Sequence, residues 1–334
     1  MNKSVFKSRN FIIGCIVSVI LFIAYQVIYS VTNGGYIANI IVYICLFVIA
    51  GQGWNLLGGY IGEISFGHAV FFGLGAYTIG IVQKMGFKGN PLFLVVLGML
   101  ISALFALIIS YPLLRIRGFS FLIGTFGLGV IFYNVFKSNQ DLGSNQGMYI
   151  KSLDKGFVFS LIVVLAIVTS IFVYVLVNNN LGLKFKAVRD ASDAAEMIGV
   201  NIYRTKTIAL VIGAAITGLA GGMFALYSSH IAPSTCYETS ISNDILLGSY
   251  IGGCGTVIGP VIGGFTVLGL QEWARNVISV SGGHNLVLGL LLIVVMMVAR
   301  EGIWPECVKA YKKLRVYLKN KKQIKSDGSL KKEC

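Results

Sequence analysis

Two ionisable side chains and seven glycines share an otherwise apolar stretch, GGYIGEISFGHAVFFGLGAYTIG, at residues 58–80. Glu63 and His68 are the side chains there that could bind an ion or carry a proton. An ionisable group within an apolar segment is by default a functional candidate. Glu63 falls beside a predicted segment end, so hydration by bulk water and a functional role both stay open for it. His68 lies further along, and we expect it to hydrogen-bond nearby backbone rather than to titrate.

Other groups that do chemistry are scarce in the chain. The six cysteines form no CxxC pair, which argues against a metal or redox centre. Asp244 and Glu272 lie near segment ends, and Glu272 can pair with Arg275 at i, i+3. No P-loop, HExxH or GxSxG motif occurs, so neither nucleotide hydrolysis nor a membrane enzyme is predicted. The few membrane acids disfavour a transporter driven by ions.

Composition indicates a polytopic membrane protein. The chain is 56% hydrophobic and 12% charged, with 41 glycines and 5 prolines, and its mean hydropathy is +0.80. A helix of about 20 apolar residues crosses a bilayer. We therefore predict an all-α integral membrane bundle of about ten transmembrane or re-entrant helices. The apolar runs lie at 11–30, 37–57, 66–83, 91–113, 119–136, 157–178, 207–228, 243–256, 259–277 and 284–300, and those at 37–57 and 243–256 end in glycine clusters.

Basic residues set the orientation. With a cytoplasmic N-terminus, 21 of the 27 Lys and Arg residues fall in inner segments and 6 in outer ones, as the positive-inside rule requires. Both termini are therefore predicted to be cytoplasmic, and 11–30 is interpreted as a spanning helix rather than a signal peptide. We divide the chain into a membrane domain, 1–304, and a basic cytoplasmic tail, 305–334. The tail suits anionic lipid headgroups rather than nucleic acid.

Glycine clusters predict two interrupted helices. The first cluster is Gly58, Gly59 and Gly62, and the second is Gly252, Gly253 and Gly255, followed by Gly259 and Pro260. An interrupted helix exposes unpaired N–H groups with a partial positive charge, and transporters use such breaks to meet anionic solutes. Ser65, Gly67 and His68 follow the first cluster, so we predict that they line a translocation path.

Small residues also recur at four-residue spacing. Such rows allow close helix packing. They comprise Ser65, Ala69 and Gly73; Gly213, Thr217, Gly221 and Ala225; and Gly255, Gly259 and Gly263.

The longest predicted inner connection covers residues 181–206, called here the 181–206 loop. It mixes basic and acidic residues around an apolar stripe of Ala191, Ala194, Ala195 and Ile198. This pattern predicts a short amphipathic helix that docks another molecule, whereas a helix resting on lipid usually has a purely basic polar face.

Within this loop, Asp193, Ala194, Ala195 and Gly199 resemble the EAA loop of ABC-importer permeases, with Asp in place of the usual Glu. The wider pattern resembles the M-type permease of branched-chain amino-acid importers. The matching stretches include WNLLGGYIGEISFGHAVFFGLGAYT (54–78), RGFSFLIGTFGLG (117–129) and DILLGSYIGGCGTVIGPVIGG (244–264).

This resemblance implies a permease subunit of the bacterial cytoplasmic membrane without an ATPase site of its own. Its implied partners are an H-type sister permease, two ATPase subunits that bind Mg-ATP and dock at Asp193, Ala194, Ala195 and Gly199, and an extracytoplasmic binding protein. The implied solute is Leu, Ile or Val, and no cofactor is implied in this chain. Importers of urea, short amides or nucleosides are the alternative, since the motifs do not separate these branches.

Overall fold

The computed structural model describes residues 35–87, 89–116, 118–277, 289–290, 297 and 302–310. These residues form helices with short connections. The helices are α1 (Tyr36–Asn55) with a π-helical extension (Leu56–Ile61), α2 (His68–Lys84), α3 (Pro91–Leu113), α4 (Phe119–Ser138), α5 (Lys155–Val177), α6 (Asn180–Asp190), α7 (Ser192–Met197), α8 (Ile202–Ser228), α9 (Pro233–Cys236), α10 (Thr239–Gly253) and α11 (Gly259–Val277).

Eight predicted apolar runs coincide with helices α1–α5, α8, α10 and α11 within a few residues. The run at 11–30 and most of 284–300 lie outside the described residues. Five helices of the described part are long and apolar enough to cross a membrane: Tyr36–Ile61, Pro91–Leu113, Phe119–Ser138, Lys155–Val177 and Ile202–Ser228. The chain is therefore an all-α membrane bundle.

Helix α8 lies at the centre of the bundle and packs against α1, α2 and α3. Its small-residue row has the predicted role. A Cβ added to Gly213 would lie 2.5 Å from the Gly53 carbonyl oxygen, and one added to Gly221 would lie 1.9 Å from the Phe72 oxygen. Because only glycine permits such close approach, these positions fix the helix crossings.

In two of the predicted small-residue rows, the first residue lies outside the helix that holds the others. Ser65 precedes the start of α2 at His68, and Gly255 precedes the start of α11 at Gly259. Both residues lie where the chain has left the helix, so neither shares a helical face with the residue four positions later.

Two 3₁₀ turns and a short pair of strands lie in the connections at the end of the bundle opposite the 181–206 loop. After α4 come two 3₁₀ turns, Gln140–Leu142 and Ser144–Gln146. Strand β1 (Met148–Tyr149) then pairs antiparallel with β2 (His230–Ile231). This pairing ties the α4–α5 connection to the α8–α9 connection.

Candidate functional site

The first helix break comprises Gly62–Gly67. The π-helical extension of α1 ends where Gly62 adopts φ +88°, a left-handed conformation that favours glycine. The chain then runs without helical structure to Gly67, and α2 begins at His68. The chain therefore leaves the helix at Gly62, whereas Gly58 and Gly59 lie within the π-helical extension.

The structure brings the three predicted path residues together at the start of α2. The Ser65 hydroxyl accepts from the Gly67 N–H at 3.2 Å and lies 3.3 Å from His68 Nδ1. The Trp54 indole donates to the Ser65 carbonyl at 2.8 Å. Ser65, Gly67 and His68 are all buried. His68 therefore bonds a side-chain hydroxyl, and not the backbone as expected.

Side-chain hydroxyl groups already accept hydrogen bonds from several backbone N–H groups at the start of α2. The Ala69 N–H donates to Ser242 Oγ at 2.8 Å, and the Phe66 N–H donates to Thr125 Oγ1 at 3.1 Å. His68 Nε2 is buried with no hydrogen-bond partner among the described residues. A bound anionic group would thus find this imidazole atom unoccupied and would compete with hydroxyls for the backbone N–H groups. Sequence analysis missed Thr125 and Ser242, since each lies in a remote helix.

The second helix break comprises Cys254–Ile258, between α10 and α11. Gly253 and Gly255 adopt φ +129° and +76°, so the second glycine cluster also ends a helix as predicted. A Cβ on Gly252 would lie 1.8 Å from the Gly259 oxygen, which shows how closely the two helices cross. The start of the 302–310 stretch covers this break, because a Cβ on Gly302 would lie 2.5 Å from Gly253 Cα.

Two buried amides of α1 bind the second break. Asn55 Oδ1 accepts from the Gly255 N–H at 2.9 Å, and its Nδ2 donates to the Thr256 carbonyl at 2.8 Å. Gln52 Nε2 donates to the Val257 carbonyl at 2.7 Å. Both side chains are fully buried. They satisfy backbone groups that the second break leaves outside a helix. The signal for them in the sequence is two amides in an otherwise apolar run.

The 181–206 loop forms two helices, α6 and α7, and not the single helix predicted. Ala191 lies at the joint between them, where the backbone is extended. Of the predicted apolar stripe, Ala195 is buried, while Ala191, Ala194 and Ile198 are exposed. Gly199 ends α7 with φ +86°. Asp193 lies in the first turn of α7.

This loop presents apolar side chains to its surroundings. The exposed fractions of Met197 and Ile198 are 90% and 76%. A depression of about 430 Å³ adjoins them, lined by Leu114, Glu196, Gly199, Val200, Asn201, Ile202, Tyr203 and Lys206. Met197 and Ile198 form an exposed apolar protrusion, called here the α7 knob. Such a protrusion beside a depression is typical of a protein-docking surface.

Glu63 forms an ion pair with Lys206 of α8. The side chains are 15% and 10% exposed, respectively. Glu63 is therefore ion-paired and not simply hydrated by bulk water, while a functional role for it stays a prediction. Lys206 was not predicted as its partner, because 143 residues separate them in the sequence.

A mainly apolar cavity of about 410 Å³ lies between α1, α2, α8, α10 and α11. Its wall includes Phe47, Phe72, Phe224 and Leu268. Asp244 also lines it and accepts a hydrogen bond from Gln271 at 3.0 Å. Glu272, at the same cavity, accepts from the Tyr36 hydroxyl at 2.8 Å. The predicted partner of Glu272, Arg275, has its side chain outside the described residues.

Comparisons with known proteins identify the family to which the chain is similar. The family model for the branched-chain amino acid transport system permease component matches residues 36–299. LivM, a high-affinity branched-chain amino acid transport system permease protein of Salmonella typhimurium, is 25% identical over 293 residues, covering 78% of this chain and 68% of LivM. LivH of the same organism is 22% identical over 282 residues, covering 77% and 90% of the two chains.

Another relative is named for a different solute and aligns over a shorter stretch. The ribose import permease protein RbsC of Haemophilus influenzae is 25% identical over 171 residues, covering 49% of this chain and 50% of RbsC. No solved structure matches the chain. The family match extends over most of the described helices, including both helix breaks and the 181–206 loop. The chain belongs to the family of permease components of branched-chain amino acid transport systems.

Proposed function

We propose that this chain is a membrane permease subunit of an ABC importer that moves Leu, Ile or Val across the bacterial cytoplasmic membrane. The family match over residues 36–299 carries this proposal. The LivM and LivH relatives support branched-chain amino acids as the solute. Importers of urea, short amides or nucleosides are the alternative, and the uptake experiment below distinguishes them.

The proposed importer has four further protein parts. A sister permease of the H type pairs with this chain, two ATPase subunits bind Mg-ATP, and a binding protein delivers the solute from outside. The exposed α7 knob supports docking of an ATPase subunit at Asp193, Ala194, Ala195 and Gly199. The chain itself contributes no nucleotide site, in keeping with the missing P-loop.

The topology proposed for this subunit is about ten crossing or re-entrant segments with both termini in the cytoplasm. The excess of basic residues in the inner segments supports this orientation. Helix α10 has 15 residues, too few for about 30 Å of hydrocarbon. This length supports a re-entrant role for α10, continued across the membrane by α11.

The proposed solute path uses the first break and the apolar cavity. Ser65, Gly67 and His68 supply polar groups for the solute carboxylate, and the buried Nε2 of His68, which has no hydrogen-bond partner among the described residues, supports this role. The aromatic wall of the cavity begins at Phe72, one turn beyond His68 on α2, and it suits a branched aliphatic side chain. ATP-driven motion of the 181–206 loop would open this path to one side of the membrane at a time.

Purification from native membranes tests the assignment. The chain should bring with it a sister permease and an ATPase. The complex, reconstituted in proteoliposomes with its binding protein, should take up leucine only with ATP. Uptake of urea or a nucleoside under these conditions, with no uptake of leucine, would show that the importer carries one of the alternative solutes instead. Uptake driven by an ion gradient without ATP would overturn the importer class.

A further inference from the structure

Arg189, near the C-terminal end of α6, lies against both helix breaks. Its Nη1 donates to the Gly59 carbonyl at 2.8 Å. A Cβ on Gly62 would lie 3.3 Å from Arg189 Cγ, and a Cβ on Gly255 would lie 2.6 Å from Nη1. One side chain of the 181–206 loop therefore contacts the last turn before the first break and the centre of the second break.

The Gly59 carbonyl is a suitable acceptor because of where the helix ends. The last carbonyls of a helix lack intrahelical partners and carry partial negative charge. Gly59 belongs to the final turn, Leu56–Ile61, after which Gly62 turns the chain away. A guanidinium group there satisfies the carbonyl and complements the charge of the helix end.

The glycines make room for this contact. Gly59 and Gly255 lie so close together that a Cβ on Gly59 would be 2.5 Å from the Gly255 nitrogen. Asn55 also bonds the Gly255 N–H. The last turn before the first break is therefore packed directly against the second break, and Arg189 contacts both from the 181–206 loop.

A second contact links the far side of the same loop to the first break. Lys206 follows α7 in sequence and pairs with Glu63, one residue after Gly62. Arg189 and Lys206 thus flank the exposed α7 helix, which carries Asp193 and Met197. Of these two side chains, Lys206 contacts the first break through Glu63, and Arg189 contacts both breaks.

We infer that Arg189 is a positioning residue that couples the 181–206 loop to both helix breaks, so that the breaks move with the loop during transport. This inference rests on the proposed function for its driving motor. The guanidinium group carries the role, because it has several N–H donors in a rigid plane, whereas a lysine ammonium is a single flexible point.

Cys254 provides a direct reporter of this contact. It is half-buried at the start of the second break, directly before Gly255, whereas Cys307 is exposed. In the complete importer held in nanodiscs, the maleimide labelling rate of each cysteine can be followed by mass spectrometry. We expect Arg189→Lys, which keeps a positive charge near the thiol, to raise the rate at Cys254 at least threefold, because the guanidinium contact beside the break is lost, with no change at Cys307.

A variant that removes the whole side chain should separate ATP hydrolysis from transport in proteoliposomes. We expect Arg189→Ala to keep ATPase activity while leucine moved per ATP falls about tenfold. Lys184→Ala, an exposed residue of the same helix that lies off the face carrying Arg189, removes an equal charge and should change neither readout. Arg189→Lys should give an intermediate ratio and serves as the second variant if the alanine form does not assemble.

Each outcome bears on the inference separately from the importer assignment. Unchanged labelling of Cys254 in Arg189→Lys together with a normal ratio of leucine to ATP in Arg189→Ala would overturn the coupling role. An equal fall in hydrolysis and uptake would also overturn it, since that result indicates a role in assembly alone. Lack of ATP-dependent leucine uptake by the unmodified importer would instead remove the proposed function.

Discussion

At the scale of single residues, glycine determines how closely the helices approach. A Cβ on Gly75 would lie 2.0 Å from the Gly218 carbonyl oxygen, and one on Gly98 would lie 2.7 Å from the Gly75 oxygen. These glycines bring α2, α3 and α8 into backbone contact. Lipid offers no hydrophobic drive for helix association, so such contacts supply much of the packing energy.

We predict opposite effects for two glycine-to-alanine changes. Gly221→Ala would place a methyl group 1.9 Å from the Phe72 oxygen and should destabilise the protein by about 1–3 kcal/mol. Gly127→Ala, on α4, meets nothing within 4 Å and should be neutral or slightly stabilising, because alanine favours helix. Thermal unfolding in detergent measures both. Equal stability of the two variants would contradict the packing argument.

The predicted path residues form a second test at this scale. We expect Ser65→Ala and His68→Ala each to lower leucine uptake about tenfold, because a hydrogen bond to a charged group contributes roughly 1.5–3 kcal/mol. Ser138→Ala is the control, since that hydroxyl bonds only the carbonyl of Asn134 in its own helix. Uptake rates and KM in proteoliposomes decide the matter. Unaltered values in both variants would place the solute elsewhere.

At the scale of elements, sequence patterns predicted where helices break but not what holds the breaks. Both interruptions contain residues with left-handed φ values, Gly62 and Gly255. Because glycine is the residue that adopts this conformation most readily, the clustered glycines indicated both positions in the sequence. The partners of the breaks, Asn55 and Arg189, are ordinary residues in distant elements. Their roles depend on tertiary contacts across 130 or more residues, which periodicity does not report.

The same limit applies to the predicted docking loop. The apolar stripe indicated helix but did not show the joint at Ala191, where the cap is extended at ψ 90°. It also counted four apolar positions as one face, although Ala195 alone of these is buried. Spacing predicts which residues share a face only while the helix continues.

A matched pair of glycines tests the loop as an element. Gly199 and Gly86 have φ +86° and +90°, and a Cβ on either would meet nothing within 4 Å. Gly199→Val and Gly86→Val therefore impose the same kind of backbone strain without a clash. We expect the double variant Asp193→Lys, Gly199→Val to abolish ATP-coupled uptake, because both changes alter the proposed docking helix.

Gly86→Val lies after α2, at the other end of that helix from the breaks, and should keep normal coupling. The measurement is leucine transported per ATP hydrolysed. Equal ratios for the Gly86 variant and the double variant in the loop would show that α7 does not dock the motor.

At the scale of the whole molecule, the all-α membrane bundle was predictable and its extent was only partly confirmed. Apolar runs gave the helices within a few residues because hydropathy and length act locally. Within the described residues, five helices meet the length and composition of a crossing. Helices α2 and α10 have 17 and 15 residues, and α11 has 19 but is less apolar, so these three do not meet both conditions.

Orientation is testable with two equally exposed positions. Met197 is 90% exposed in the 181–206 loop, and Tyr149 is 88% exposed in β1. With the native cysteines replaced by serine, we expect Met197→Cys to react with a membrane-impermeant maleimide only from the cytoplasmic side, and Tyr149→Cys only from outside. Labelling of both from one side would contradict the topology, and labelling of residue 197 from outside would end the importer interpretation.

The buried amides of α1 have a consequence for biosynthesis. Gln52 and Asn55 enter the membrane with their helix, yet their hydrogen-bond partners, Gly255–Val257, are made about 200 residues later. Until then these amides have to find water or other temporary partners, because bare hydrocarbon leaves them unsatisfied. We therefore expect nascent chains released before residue 257 to be preferred substrates of membrane quality-control proteases, and chains extended past α11 to escape them.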